Sequence, residues 1–197
     1  MSPNLVKDNI LAAAERRMIQ FGYRKVTMDE IAQDLGMSKN TIYKHFASKD
    51  EIAQAMFVQL CARINENILT IKKDEPDPIK IISQNILFIQ KELSPWFEHF
   101  LGDIKIELPH LWQKFIQYRT EKITEVQELI TQGIQKRKLR KVNAAIAMRS
   151  FLGAVDAVIN PEFLQNENMS FQSAMDEVVQ IWSKGIMVNT TNKGEVK

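Results

Sequence analysis

The stretch over residues 27–52, TMDEIAQDLGMSKNTIYKHFASKDEI, restricts what this chain can fold into more than any other part of it. Thr27 followed by Glu30 is a capping box: the hydroxyl accepts the N3 amide and the carboxylate accepts the cap amide. Ile31, Ala32 and Leu35 then form a one-sided apolar stripe at helical spacing. Gly36 follows at once, where a left-handed residue ends a helix without a Cβ penalty. Met37 anchors the turn, and Ser38 is an N-cap for a second short helix. That helix turns Lys39, Asn40, Thr41, Lys44 and His45 outward and Ile42 and Phe46 inward. Ser48 with Glu51 makes another capping box and opens a third helix. Two short helices joined by a tight turn containing glycine are a helix-turn-helix. Its second helix suits the major groove, because Lys, Asn, Thr and His reach base edges and phosphates while the helix N-terminus adds amide donors.

The order Thr27, Ile31-Ala32, Gly36-Met37-Ser38-Lys39, Thr41-Ile42-Tyr43, His45-Phe46, Ser48-Lys49-Asp50 resembles the DNA-binding signature of TetR-type transcriptional repressors. Upstream, Ile10, Ala13-Ala14 and Phe21-Gly22-Tyr23 are similar to that family's first helix and its ending. Arg17 departs from the pattern, since the family usually carries an apolar residue there; an arginine can lay its stem on the core and keep its head in water. The resemblance implies that Lys39, Asn40 and Thr41 face bases or adjacent phosphates, with Ser38 and Lys44 on the same surface. It also implies that Tyr43, His45 and Lys49 clamp phosphates and that Thr27 contacts the DNA backbone from the preceding helix. Tyr43 has a second reading, as a packed core aromatic with only its hydroxyl exposed. The plain alternative for the whole set is a solvated helix face, but cap, turn and aromatic positions then agree with one motif for no reason.

Bulk properties narrow the class. A chain of 197 residues is long enough for a proper core. Its formal net charge of +2 excludes a polycation that coats nucleic acid by charge alone, so DNA binding needs a local patch. Cys61 is the only cysteine, which excludes an intrachain disulfide and fits a reducing compartment. With no apolar run of spanning length and no signal segment, the expected location is the cytoplasm and no membrane is involved. Apolar residues recur at three and four throughout, and Gly and Pro are sparse. The expected fold class is all-α: an N-terminal three-helix helix-turn-helix domain over 1–48 and a C-terminal helical bundle over 49–188.

In chain order, a first helix is expected over 4–21, closing at Gly22, with Leu5, Ile10, Ala13, Ala14, Met18 and Phe21 on its buried face. A connector helix spans 48–72. Asp77 before Pro78 is an N-cap followed by proline at the first helical position, and that helix runs to about residue 93. Ser94-Pro95 repeats the start signal, and Leu108-Pro109 marks another boundary. A long helix from Pro109 frays into Lys136-Arg137-Lys138-Leu139-Arg140-Lys141. That basic run reads as a solvated junction that favours the helix C-terminus, rather than as a second nucleic-acid contact. Asn143 caps a helix ended by Asn160-Pro161; a polar loop follows, then Ser170 caps the last helix. Residues 189–197 read as a disordered tail.

The C-terminal body carries Trp96, Phe100, Ile104 and Leu108 every four residues, then Trp112, Phe115 and Ile116 on the next helix. Position by position, such residues are core. By resemblance, this body holds an inducer cavity, expected to be lined by Leu60, Ile64, Phe88, Trp96, Phe100, Ile104, Trp112, Phe115, Arg119 and Phe151. Arg63, Tyr118 and Arg119 are candidate polar anchors for an apolar or weakly acidic small molecule. His99, Asp103, Glu107 and His110 nearly share a helix face and are types that hold divalent metals, but Pro109 interrupts the helix, and no metal or cofactor is expected. The last two helices are apolar over much of their surface (Ile146, Phe151, Leu152, Val155 and Val158, then Phe171, Val178, Ile181, Trp182 and Ile186), which suggests a partner surface. By resemblance they pair with their copies across a two-fold axis.

No nucleophile elbow, phosphate-cradling glycine loop or paired helical histidines are present, so an enzyme is not expected. The sequence reads as a homodimeric regulator of transcription, a repressor released from a palindromic double-stranded operator by a largely apolar inducer. The rival readings are an architectural DNA-binding protein and a helical ligand-binding protein, neither with inducer-controlled repression.

Overall fold

The computed structural model describes residues 3–97 and 99–187, with side chains from residue 5 onward. The tail expected over 189–197 lies outside these. Ten helices occur among the described residues: α1 Pro3–Phe21, α2 Met28–Asp34, α3 Lys39–Tyr43, α4 Lys49–Asp74, α5 Pro78–Phe97, α6 Phe100–Glu107, α7 Pro109–Gln135, α8 Ala144–Val158, α9 Pro161–Asn166 and α10 Phe171–Ile186. The only extended pairing among them is an isolated antiparallel bridge between Leu139 and Met187. The all-α class is borne out. No helix among the described residues is long and apolar enough to cross a membrane.

The chain divides into two compact units, one holding residues up to 66 together with 92–118, the other holding 67–91 and the chain from 119 onward. Residues 1–48 fall wholly within the first. In that unit α1 buries Ile10, Ala13, Ala14 and Met18, α2 buries Ile31, α4 buries Ile52, Met56, Leu60 and Ile64, and α6 buries Phe100 and Ile104. The α1 helix ends where Gly22, at φ +84°, donates its amide to the Met18 carbonyl at 2.9 Å. Leu5 and Phe21, expected on the buried face, are 48% and 44% exposed. The aromatic buried at this end of the helix is Tyr23, beyond the glycine turn. At the start of α4 the Ser48 hydroxyl accepts the Glu51 amide, while the Glu51 carboxylate accepts from Ala47 rather than from Ser48 itself.

In the second unit Ile81, Ile82, Leu129, Ile130, Leu139, Met148, Phe151, Met175 and Val178 form one core cluster. Asp77 opens α5 by accepting the Ile79 amide at 3.0 Å, and its carboxylate also takes the Lys138 ammonium. The basic run is thereby tied down: Lys136 Nζ donates to the Pro76 carbonyl, and Leu139 is buried against Gly133.

Two expected boundaries are corrected. The α5 helix does not stop before Ser94-Pro95 but runs through Pro95 to Phe97. Pro95 lacks the amide that would bond the Lys91 carbonyl, but it sits in the last turn, where little of the ladder remains to be lost. Burial of Trp96, in edge-to-face contact with Phe100 at 4.8 Å, favours carrying the chain onward. The polar loop after Asn160-Pro161 holds a short helix, α9. Asn160 caps it by accepting the Phe163 amide at 2.9 Å, with proline at the first helical position. This is the signature already recognised at Asp77-Pro78, so the signal was there to be read.

At Gly22 a Cβ would stand 2.7 Å from Asp103 Oδ2, on a backbone with positive φ. Gly22→Ala is expected to destabilise the protein by about 1–3 kcal/mol, seen as a lower urea midpoint at unchanged helical content.

Candidate nucleic-acid interface

The interface is built by caps. Thr27 accepts the Glu30 amide at 3.3 Å and donates its own amide to Glu30 Oε2 at 2.8 Å, so both halves of the box form. Gly36, at φ +60°, turns the chain, and the Met37 amide reaches back to the Ala32 carbonyl at 2.9 Å. Ser38 accepts the Thr41 amide at 3.1 Å, and the two hydroxyls lie 2.8 Å apart. These bonds start α3, and the buried Ile42 and Phe46 pin it.

With that face held inward, Ser38, Lys39, Asn40, Tyr43 and Lys44 are exposed, Thr41 and His45 are half-buried, and Thr27 is exposed at the head of α2. Tyr43 is 44% exposed, which removes its reading as a packed core aromatic. Asn40 and Lys44 have no side-chain partner among the described residues, and donors of that kind are free to meet base edges or phosphates. Lys39 lies 6.0 Å above the Tyr43 ring and pairs with Asp29. Lys49 is placed differently. Its ammonium donates to the Tyr23 carbonyl at 2.9 Å and sits 4.1 Å above the Tyr23 ring, while the Tyr23 hydroxyl donates to Asp50. Burial pushes the Lys49 amine down, against the opposing pull of Asp50, Glu107 and Asp103.

Acidic residues within a DNA-binding unit must be neutralised or turned away, and Glu15, Asp29, Glu30 and Asp34 each have a cationic partner. Glu15 meets Arg63 at 3.3 Å, Asp29 meets Lys39, and Glu30 and Asp34 both meet Arg17. The Arg17 head is therefore not simply solvated. It makes two hydrogen bonds to Asp34, which hold that carboxyl below its usual range. The bonds to Thr27, and more weakly the charge of Arg17, do the same for Glu30.

The ten residues expected around an inducer are divided between the units. In the first, Leu60, Ile64, Trp96, Phe100 and Ile104 are 2–3% exposed and fill the core, while Trp112 stacks on Phe115 at 5.2 Å. In the second, Phe151 packs on Trp182 at 5.0 Å, Arg119 pairs with Asp156 at 2.8 Å, and Phe88 is half-buried. The other two proposed anchors are also engaged: Arg63 with Glu92 at 2.9 Å, and the Tyr118 hydroxyl with Asn65 at 3.0 Å. The second unit carries a cleft of about 20 Å³ among Ile79, Ile82, Ile86, Leu139, Trp182 and Ile186, and an open polar groove of about 290 Å³ beside Lys72, Glu75, Glu125 and Glu128. None of the ten lines either. The sequence reading also passed over three buried, unpartnered amide oxygens in the second unit, those of Asn67, Asn85 and Gln90. Periodicity places such residues on a face but cannot say whether their partners are present.

Of the histidine–carboxylate set, Asp103 and Glu107 are taken by Arg24 at 2.9 and 3.4 Å, and His110 lies 3.3 Å from Gln54. No group of three candidate metal ligands occurs among the described residues.

The Arg17–Asp34 pair gives a pH-dependence test. A carboxyl depressed in the folded state contributes stability above its unfolded value, near ~3.9, and loses it as pH falls through the folded value. Arg17→Ala is therefore expected to lower the urea midpoint at neutral pH and to flatten its decline between about pH 4 and pH 2, as a pH series of unfolding curves would show.

The family profile described as bacterial regulatory proteins, tetR family, matches residues 10–56, the span holding the whole helix-turn-helix and the first turns of α4. The HTH-type transcriptional regulator YvaF of Bacillus subtilis is 22% identical over 178 residues, covering 90% of this chain and 93% of YvaF. A TetR-family transcriptional regulator from Agrobacterium tumefaciens superposes with a TM-score of 0.76 at 16% identity, over 95% of this chain and 100% of that one. A transcriptional regulator from Saccharomonospora viridis, solved in complex with choline, gives 0.77 at 16% identity, over 94% and 100%. At these identities the two structures speak to the fold, and they match it along nearly the whole chain. A capped helix-turn-helix with an outward-facing polar helix, the matched profile and the shared fold lead to one conclusion: residues 10–56 carry the DNA-binding domain of the tetR family of bacterial regulatory proteins, and the chain is a DNA-binding regulator of transcription.

Proposed function

We propose that the protein is a homodimeric repressor that binds a palindromic operator and is released by a small molecule. The observation that carries the DNA-binding half is the α3 surface, where Asn40 and Lys44 stand exposed without side-chain partners among the described residues, on a helix locked by Ile42 and Phe46. One helix of five residues reads too few base pairs to select a site, so a second copy about 34–36 Å away, one turn of DNA, is required. The dimer is assigned to α8 and α10, where Ile146 and Ile181 are 69% and 74% exposed although both helices bury their opposite faces. Release follows if a ligand favours a spacing of the α3 helices that no longer fits successive major grooves, with α4 as the continuous link. Ligand and DNA then oppose each other reciprocally, with a coupling of roughly 1–3 kcal/mol. The reading assigns no catalytic step and places the protein in the cytoplasm.

One observation favours the rival, a DNA-binding protein indifferent to small molecules. The apolar cleft of about 20 Å³ has room for one water only, and the roomier groove of about 290 Å³ is open and polar, unlike the enclosed, mostly apolar pocket that holds a small molecule. Footprinting on DNA flanking the protein's own gene, repeated with candidate ligands, separates the two. Repression predicts a two-fold-symmetric footprint that some ligand abolishes while raising the melting temperature; a footprint that no ligand disturbs supports the rival.

Two variant sets check the parts. Ile146→Lys with Ile181→Lys is expected to give a folded monomer by sedimentation, with operator affinity lowered by at least roughly ten-fold because each half-site is then bound alone. Lys49→Ala is expected to weaken binding to all duplexes about equally, to reduce the salt slope by ~1, and to lower the melting temperature through loss of the Tyr23 contact. Asn40→Ala is expected to change sequence preference and leave the melting temperature in place.

A further inference from the structure

Of the four acids in the DNA-binding unit that pair with a cation, three are neutralised by arginines outside the recognition helix: Glu15 by Arg63, Glu30 and Asp34 by Arg17. Asp29 is the exception. Its two carboxylate oxygens lie 2.8 and 2.9 Å from the ammonium of Lys39, the first residue of α3. Both partners face solvent, Asp29 at 64% and Lys39 at 52% exposure.

Such a pair adds little to stability, because water solvates each charge nearly as well as the partner does. Nor does the start of α2 depend on Asp29 for a cap, since Thr27 and Glu30 already close that box. What the pair does fix is the commitment of the Lys39 charge before any DNA arrives. A phosphate that takes Lys39 where it stands comes within ~5 Å of the Asp29 carboxylate, a repulsion of roughly four-fold in affinity in water-like surroundings. If Lys39 swings away instead, Asp29 is left uncompensated against a polyanion. Phosphates are the same at every sequence, so this cost falls on every complex in which Lys39 meets only the DNA backbone. Only a base edge with well-placed acceptors, such as guanine N7 and O6, offers Lys39 a contact that offsets it.

We infer that Asp29 is a specificity-determining residue: its carboxylate withholds Lys39 from phosphates of arbitrary sequence and yields it where the major groove offers matching acceptors. Selectivity is then raised by penalising the wrong complex rather than by tightening the right one. The inference rests on α3 being the recognition helix, as proposed above.

The test uses the full chain and two duplexes, one selected from a random pool by the wild-type protein and one scrambled, each titrated across a salt series. Asp29→Asn is expected to bind the scrambled duplex about four-fold more tightly, with a salt slope steeper by ~0.9 per protomer. Its affinity for the selected duplex should stay within about two-fold of wild type, so the ratio falls. Asp29→Ser should reproduce this, and Asp29→Glu should keep the wild-type ratio, all three folded with melting temperatures within about 3 °C of wild type, since Asn and Ser give up one carboxylate in the first turn of α2. The inference is overturned if Asp29→Asn leaves the scrambled duplex unaffected, or if it raises both affinities equally. Lys39→Ala separates the failures. If it binds both duplexes like wild type, Lys39 is not at the DNA and the reading of α3 falls together with the inference. If Lys39→Ala weakens binding while Asp29→Asn changes nothing, the inference alone falls.

Discussion

The recognition helix is too short to exist by itself. Five residues close barely one turn of hydrogen bonds, and nucleating a helix costs more than so few bonds return. What holds α3 is burial of Ile42 and Phe46, at 0% and 1% exposure, together with the Ser38 cap that starts the turn. Every outward side chain takes its direction from those two inward ones. The three-helix core, the Gly36 turn and the buried face of α1 all serve to keep that seat rigid, because a recognition residue displaced by an ångström no longer matches a base edge.

A second constraint is electrostatic. A surface meant for a polyanion sits on helices that carry acids at their N-termini, where carboxylates favour the helix dipole. The chain reconciles the two by pairing. Arg17 takes Asp34 and Glu30, Arg63 takes Glu15, and Arg24 takes Asp103 and Glu107. The Arg24–Asp103 contact also carries the amide of Arg24, so α6 is fastened to the turn between α1 and α2 by side chain and backbone alike. Burial works against the Asp103 charge, but the Arg24 amide and guanidinium hold its carboxyl below the usual range all the same. Lys49 belongs to the same junction, on the other side of the turn. Its charge is partly spent inside the protein, whereas Lys44 keeps its charge, and Asn40 its amide donors, for a partner.

How much could be read from the chain depended on how local each signal was. Thr27 with Glu30, Ser38 with Thr41 and Asp77 with Ile79, just past Pro78, are bonds between near neighbours, and all appear where the spacing places them. Asn160-Pro161 follows the same rule and serves two helices at once, closing α8 and capping α9. Pro95 shows the opposite failure: a strong local start signal overruled by a helix whose end is set by burial of Trp96. Spacing alone puts Phe21 on the buried face, but the turn at Gly22 gives that place to Tyr23.

The sequence by itself determined the all-α class, the helix-turn-helix and the identity of the outward residues, because caps and 3.6-residue periodicity act over one or two turns and need no distant partner. Only the tertiary structure decided which charges are free. That Arg17 answers Asp34, that Lys49 answers Tyr23, and that Trp96, Phe100 and Ile104 are packed core depends on segments brought together across tens of residues. Spacing along one helix carries no record of what the rest of the chain sets against it.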